Sequence, residues 1–243
     1  MFLCVIVILG FRSSTVQATM ADLAADYEMG TEYTGYVTGT YGQDTEEVGA
    51  RYFRFNITEK SHVTLYCWYK DNGYGGTIYD SKGKAVLRVQ DLKFQTNQAT
   101  GWSQAKLSRE LSAGTYYLKI DDNGGRGIQS FDFKFIIQAE KQIKLSKGTL
   151  KSLKSTKKGQ MTVKCASAKN AIGYRIQYST DYKFKKGVKT VYSAGTTRTI
   201  KGLKKGKRYY VKVCPYTVYD DGTKVYGRNS YVSAVRAPYR IQI

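Results

Sequence analysis

Short runs in which apolar and polar residues alternate are the feature that most limits what this chain can fold into. In residues 52–57, Phe53, Phe55 and Ile57 lie two positions apart, and residues 62–69 repeat the pattern. Successive side chains of a β-strand point to opposite faces, so each run predicts a strand with one apolar face. The 24 glycines suit turns and the 22 tyrosines suit strands. The sequence therefore predicts an all-β fold.

The charge of the chain is distributed unevenly along its length. Residues 1–140 hold 14 of the 39 Lys and Arg residues and 16 of the 19 Asp and Glu residues. The remaining residues therefore carry a net charge of about +22. The length of the chain and the asymmetry of its charge together predict two domains, each long enough to bury its own core. The positive charge of the second domain predicts an anionic binding partner for it.

The N-terminus predicts export. Residues 2–11 form an apolar run that is too short to cross a bilayer, and Val16-Gln17-Ala18 offers the small residues that signal peptidase prefers. We therefore expect a signal peptide cleaved after Ala18 and a secreted or cell-surface protein. No basic residues precede the apolar run, which leaves open a start upstream of Met1. A buried strand of the first domain is the alternative for this run.

The second half predicts an immunoglobulin-like β-sandwich. Its seven short predicted strands have the spacing of such a fold, and Asp220-Asp221-Gly222 is a hairpin turn. With the strands of the first half, this predicts two β-sandwiches in tandem. The expected segments are a signal peptide at 1–18, a linker at 19–32, a first sandwich at 33–138, a linker at 139–148 and a second sandwich at 149–243.

The first sandwich resembles a known family through four segments in order. They are the aromatic strand Tyr52–Phe55, G-T-I-Y-D-S-K-G-K at 76–84, L-S-A-G-T-Y-Y-L-K-I at 111–120 and F-D-F-K-F at 131–135. Together they resemble the bacterial pre-peptidase C-terminal domain. The resemblance implies a jelly-roll-like β-sandwich that serves as an accessory module of a secreted protein. Relatives include collagen-binding and carbohydrate-associated modules, some with calcium, but no cluster in this sequence matches the calcium ligands.

The second sandwich resembles the fibronectin type III domain. The segment G-Y-R-I-Q-Y-S at 173–179 matches its third strand, and Leu203-x-x-Gly206-x-x-Tyr209 matches its tyrosine corner. The resemblance implies that Leu203, Gly206 and Tyr209 are structural, with Tyr209 bonded to backbone upstream. Cys165 replaces the usual core Trp. Cys165 and Cys214 lie on strands that antibody domains cross-link, but alternation points Cys214 outward and disfavours a disulfide.

Residues for catalysis or metal binding are scarce. His62 is the one histidine, and it lies five positions from Cys67, so the two side chains point to opposite faces of a strand. We expect His62 at the surface of a strand edge. The acidic segments 121–125 and 44–47 are interpreted as a turn and a solvated loop, with calcium as the alternative. The sequence predicts no enzyme, no metal and no cofactor.

Three aromatic residues of the first sandwich are candidate ligand contacts. Tyr66 and Trp68 face away from the apolar side of their predicted strand, and Trp102 falls in a predicted polar loop. Exposed aromatic rings stack on sugars or pack against bound peptides. The alternative is a second buried face.

Lysines of the second sandwich form the other candidate surface. The candidates are Lys183, Lys185, Lys186, Lys204, Lys205 and Lys207. They predict adhesion to a polyanion, with solubility as the alternative. We expect a non-catalytic, monomeric adhesion module that binds a polysaccharide, a cell-wall polymer or an extracellular protein, and no nucleic acid. The alternative is the accessory binding region of a secreted hydrolase.

Overall fold

The structure is a computed structural model that describes residues 19–37, 50–70, 75–89, 95–121 and 130–238. Within these ranges the chain forms eighteen β-strands and one four-residue helix. It divides into two compact units between Ala139 and Glu140. The predicted all-β fold of two tandem β-sandwiches is confirmed. The signal peptide predicted for 1–18, the acidic segment 44–47 and most of 121–125 lie outside the described residues.

The first unit is a sandwich of two five-stranded sheets. Its elements are α1 (Met20–Leu23), β1 (Ala25–Asp26), β2 (Tyr33–Val37), β3 (Arg51–Ile57), β4 (Ser61–Lys70), β5 (Gly75–Asp80), β6 (Ala85–Arg88), β7 (Gln95–Thr96), β8 (Trp102–Leu111), β9 (Gly114–Asp121) and β10 (Phe131–Lys141). One sheet has the order β1-β3-β9-β5-β6 and the other β2-β10-β4-β8-β7.

Aromatic rings fill the core between these sheets. Phe131, Phe133 and Phe135 occupy alternate positions of β10 and are each at most 1% exposed. The ring of Phe135 lies 4.8 Å from that of Phe53 on the facing sheet. The period-2 pattern of the sequence therefore marks the inward face of both sheets.

The segment 19–32 is not a linker throughout, contrary to the prediction. Strand β1 pairs in parallel with β3, and Tyr27 is only 8% exposed. The Tyr27 ring lies 4.8 Å from that of Phe135, and its hydroxyl accepts a hydrogen bond of 3.1 Å from the Ile137 N–H. One buried aromatic residue anchors this segment, and a single residue produces no alternation in the sequence.

The second unit is a sandwich of a three-stranded sheet and a larger sheet. Its strands are β11 (Leu150–Lys154), β12 (Met161–Cys165), β13 (Gly173–Ser179), β14 (Lys189–Ser193), β15 (Thr197–Ile200), β16 (Arg208–Val218), β17 (Lys224–Tyr226) and β18 (Ser233–Arg236). The small sheet has the order β11-β12-β15, and the large one has β14-β13-β16 with both β17 and β18 paired to β16. Mostly aliphatic side chains such as Met161, Val163, Ile176 and Val213 fill its core.

A tyrosine fixes the turn before β16. The Tyr209 hydroxyl accepts a hydrogen bond of 2.9 Å from the backbone N–H of Lys204, five residues upstream. Leu203 is 6% exposed, and Gly206 has φ +67°, a conformation that favours glycine. Cys165 and Cys214 are free thiols. Cys214, which the alternation of β16 points outward, is nevertheless 0% exposed, and its thiol donates to the Gly227 carbonyl at 2.9 Å.

The predicted linker 139–148 largely belongs to the second unit, which begins at Glu140. The Ile143 N–H donates to the Tyr219 hydroxyl at 3.0 Å, and the Gly148 N–H donates to the Arg228 carbonyl at 2.8 Å. A Cβ at Gly148 would lie 2.2 Å from the Val213 carbonyl oxygen. The polar composition of this segment predicts a linker because its contacts are made by backbone N–H groups and by polar side chains, such as the Glu140 carboxylate that accepts from the Asp220 N–H. Such contacts produce no apolar pattern in the sequence.

Candidate functional site

Three loops of the second sandwich meet at one end. They are the connections β11–β12, β13–β14 and β15–β16, the first, third and fifth of this unit. Ser179 at the end of β13 pairs with Tyr210 near the start of β16, and the Leu203 N–H donates to the Gly159 carbonyl at 2.9 Å. The register of the strands therefore brings all three loops together.

These loops, together with Lys154 directly before the first of them, carry ten lysines, which we call the lysine end. They are Lys154, Lys157, Lys158, Lys183, Lys185, Lys186, Lys201, Lys204, Lys205 and Lys207, and all are exposed. All six lysines singled out in the sequence lie here. Lys157 and Lys158 were missed, although odd-numbered connections of such a sandwich share one end and this rule would have found them.

The positive charge of the lysine end is not balanced by carboxylates. Asp181 is the one acidic residue in the three loops. Its carboxylate accepts hydrogen bonds from the backbone N–H groups of Lys183, at 3.0 Å, and Lys185, at 2.8 Å, and these bonds lower its pKa. Asp181 therefore shapes the loop backbone. Within the part of the chain that the structure describes, none of the ten ammonium groups forms an ion pair.

Two lysines of this end are close enough to perturb each other. The side chain of Lys158, from the β11–β12 loop, contacts that of Lys205, from the β15–β16 loop, and lowers the pKa of Lys205. A like charge disfavours the protonated form of a neighbouring amine. An anion bound between the two loops would relieve this repulsion.

The first sandwich holds a different candidate site on one face of a sheet. Trp68 pairs with Gln104, Lys70 pairs with Trp102, and Gln95 pairs with Gln104 across β4, β8 and β7. Four of these residues, Trp68, Gln95, Trp102 and Gln104, border a cleft of about 380 Å³, which we call the tryptophan cleft. It is lined by Glu32, Trp68, Gln95, Asn97, Thr100, Trp102, Gln104 and Lys134.

Trp102 does not lie in a loop, contrary to the sequence prediction. It is the first residue of β8, a ten-residue strand that the alternation of the sequence does not reveal. On the inward face of β8, Ala105 and Leu111 are buried, whereas Arg109 is exposed. A small residue and a charged residue at inward positions hide the alternation on which the prediction depends.

Charged and aromatic side chains form one side of the cleft. The Lys134 ammonium lies 5.4 Å from the centroid of the Trp102 ring and 3.5 Å from Oε1 of Glu32. The rings of Trp68 and Tyr66 are nearly parallel, with centroids 6.4 Å apart. Tyr66 supports Trp68 from the side and does not line the cleft.

His62 is buried and does not lie at a strand edge, which corrects the sequence prediction. Strand β4 lies between β10 and β8, and His62 is 4% exposed. Its Nδ1 lies 3.5 Å from Oε1 of Glu110, the residue opposite it on β8. Cys67 points to the other face, as predicted, and burial raises the pKa of its thiol to about 12. His62 and Cys67 therefore form no nucleophile and base pair.

In the described ranges, no three His, Cys, Asp or Glu residues lie together in a way that could hold a metal ion. No helix within those ranges is both long enough and apolar enough to cross a bilayer.

Comparison with known proteins finds similarity only among solved structures, since neither a protein-family profile nor a curated protein matches the chain. The FN5 domain of Drosophila Lar is 15% identical, with 39% of this chain and 98% of that chain covered and a TM-score of 0.32. The pre-peptidase C-terminal domain of a Bacillus anthracis collagenase is 15% identical, with 47% and 94% covered and a TM-score of 0.32. A β-1,2-glucanase from Parabacteroides distasonis is 10% identical, with 86% and 37% covered and a TM-score of 0.33. These neighbours include a fibronectin type III domain and a pre-peptidase C-terminal domain, but similarity at this level assigns no family, ligand or activity.

Proposed function

We propose that this chain is a non-catalytic module that attaches to an anionic polymer of an extracellular surface, such as an acidic glycan or an anionic cell-wall polymer. The lysine end of the second sandwich is the contact surface. The observation that carries the proposal is that three loops bring ten exposed lysines to one end, where the single carboxylate is bonded to backbone.

The clustering of the lysines favours adhesion over solubility. A charge that serves only solubility has no need to lie beside another, because dispersed charges repel other molecules equally well. Lys158 nevertheless lies close enough to Lys205 to lower the pKa of the Lys205 ammonium. Each basic residue near an anionic surface contributes about 1 kcal/mol, so several acting together hold the protein to a polymer that repeats its charge.

The direct test is binding of the purified chain to heparin beads and to Gram-positive cell walls with and without teichoic acid, at low and high salt. We expect binding at low salt that is lost in 1 M NaCl, where the screening length is about 3 Å. The triple variant Lys158→Gln, Lys186→Gln, Lys205→Gln should bind about 10- to 100-fold more weakly.

A matched control removes the same charge elsewhere in the second sandwich. Lys151, Lys164 and Lys169 are also exposed but lie outside the lysine end. Their triple replacement by Gln should weaken binding by less than about threefold, because they lie on β11, on β12 and in the β12–β13 connection, and not in the three loops that form the contact surface. Equal losses for the two triple variants would show that net charge alone is responsible, and no salt-sensitive binding would overturn the proposal.

A further inference from the structure

The tryptophan cleft combines aromatic surface with neutral hydrogen-bonding groups. Trp68 and Trp102 occupy diagonal positions on the adjacent strands β4 and β8, a separation of about 7–8 Å between backbone positions. Both indoles are half-buried. Around them stand the amides of Gln95, Asn97 and Gln104 and the hydroxyl of Thr100. Each amide both donates and accepts hydrogen bonds.

The cleft carries no net charge that would attract a charged ligand. Its two charged residues, Glu32 and Lys134, lie 3.5 Å apart and compensate each other. Lys134 also lies over the ring of Trp102. The cleft is therefore suited to a ligand without charge, in contrast to the lysine end of the other sandwich.

This region of the sheet is not a second buried core. Gln95 and Gln104 lie on the same face as Trp68 and remain exposed. If a further layer covered the face, these amides would be buried and would need internal partners. The half-buried indoles therefore border a site that is open to solvent.

We infer that the tryptophan cleft binds one or two sugar units of a neutral polysaccharide. The apolar C–H faces of a pyranose ring pack on an indole, and its hydroxyls pair with groups that both donate and accept. A cleft of about 380 Å³ is at the lower end of the range for small-molecule sites, which suits a short stretch of a chain. The inference is independent of the proposed function, because it concerns the other sandwich and a ligand without charge.

The chain contains two tryptophans, and both line this cleft. Intrinsic tryptophan fluorescence of the full chain therefore reports on the cleft alone. The test is titration in 1 M NaCl with cellohexaose, chitohexaose and laminarihexaose. We expect a saturable change with at least one of them, because high salt removes the contribution of the lysine end but not that of stacking.

Two variants locate the site, and affinity is read by retention on the matching insoluble polymer. Trp102→Ala and Gln104→Ala should each weaken retention about tenfold, and the exposed Gln104 keeps the test valid if Trp102→Ala misfolds. Tyr36→Ala is the matched control, since Tyr36 is a 48% exposed aromatic residue of the same unit that does not line the cleft. Unchanged fluorescence with all three sugars, a response to gelatin instead, or an equal loss in Tyr36→Ala would each overturn the inference.

Discussion

The two sandwiches place their candidate binding groups in different ways. In the first, Trp68, Trp102 and Gln104 lie on paired strands, so the register of the sheet fixes their spacing. In the second, the lysine end consists mainly of loop residues, and only the strand ends bring the loops together. A site that recognises shape needs fixed geometry, whereas a site that recognises charge depends on the number of charges. The two proposed modes of binding should therefore differ in their response to salt.

Their cores differ as well. The first is built around phenylalanine rings on both sheets, and the second mainly around smaller side chains such as Val163 and Val213. Because the first sandwich holds both tryptophans, fluorescence follows its unfolding, while calorimetry follows both sandwiches.

The largest expected effect is the loss of an aromatic ring from the first core. Phe133 is fully buried and its ring lies within 6.3 Å of the rings of Phe131 and Phe135. We expect Phe133→Ala to lower the free energy of unfolding by about 3–5 kcal/mol, measured by denaturant titration with fluorescence detection. Val213→Ala, in the other core, should leave this fluorescence transition in place. If Phe133→Ala and Val213→Ala shifted the fluorescence-detected unfolding transition equally, the two cores would not be separate.

A second prediction tests whether the segment before β11 belongs to the second sandwich. At Gly148 a Cβ would lie 2.2 Å from a backbone oxygen, which cannot move as a side chain can. We expect Gly148→Ala to destabilise the second sandwich by about 1–3 kcal/mol in calorimetry. Gly195→Ala is the control, since nothing lies within 4 Å of a Cβ there, and it should change stability by less than about 0.5 kcal/mol. Similar values for the two would show that Gly148 lies in a true linker.

The third prediction concerns alkaline pH. Burial raises the pKa of the Cys67 thiol from 9.0 to about 12, so the folded state keeps a proton that the unfolded chain loses. The contribution to stability is constant below pH 9 and falls as pH rises from 9 to 12, by about 2 kcal/mol at pH 10.5. Cys67→Ala should remove this part of the pH dependence, measured as the difference from the unmodified chain at pH 8 and pH 10.5. Parallel pH profiles for the two proteins would contradict it.

The sequence predicted those elements whose inward and outward residues differ clearly in polarity. The run 173–179 is strand β13 residue for residue, because tyrosine and isoleucine alternate with polar residues there. Strand β8 was missed because Arg109 takes an inward position. The burial of His62 was missed because local alternation does not show that β4 lies in the middle of its sheet.

The candidate sites were predictable in part for a similar reason. Residue type alone picked out Trp68 and Trp102, since tryptophan on a polar face is unusual. It could not show that they share one cleft, because that depends on the register between β4 and β8. The amides of Gln95 and Gln104 are common surface residues, and only their position beside the indoles distinguishes them.

The three cysteines within the described residues are free thiols, and this gives the folded and unfolded states different reactivity. Cys67, Cys165 and Cys214 are all buried, and burial raises the pKa of each thiol, so the folded protein presents almost no reactive thiolate. Unfolding returns them to ordinary reactivity, and any disulfide that they then form is non-native, because none of the three is paired in the fold. In an oxidising environment the unfolded chain is therefore trapped by mispaired or intermolecular disulfides. The lifetime of the folded protein is then set by its rate of unfolding.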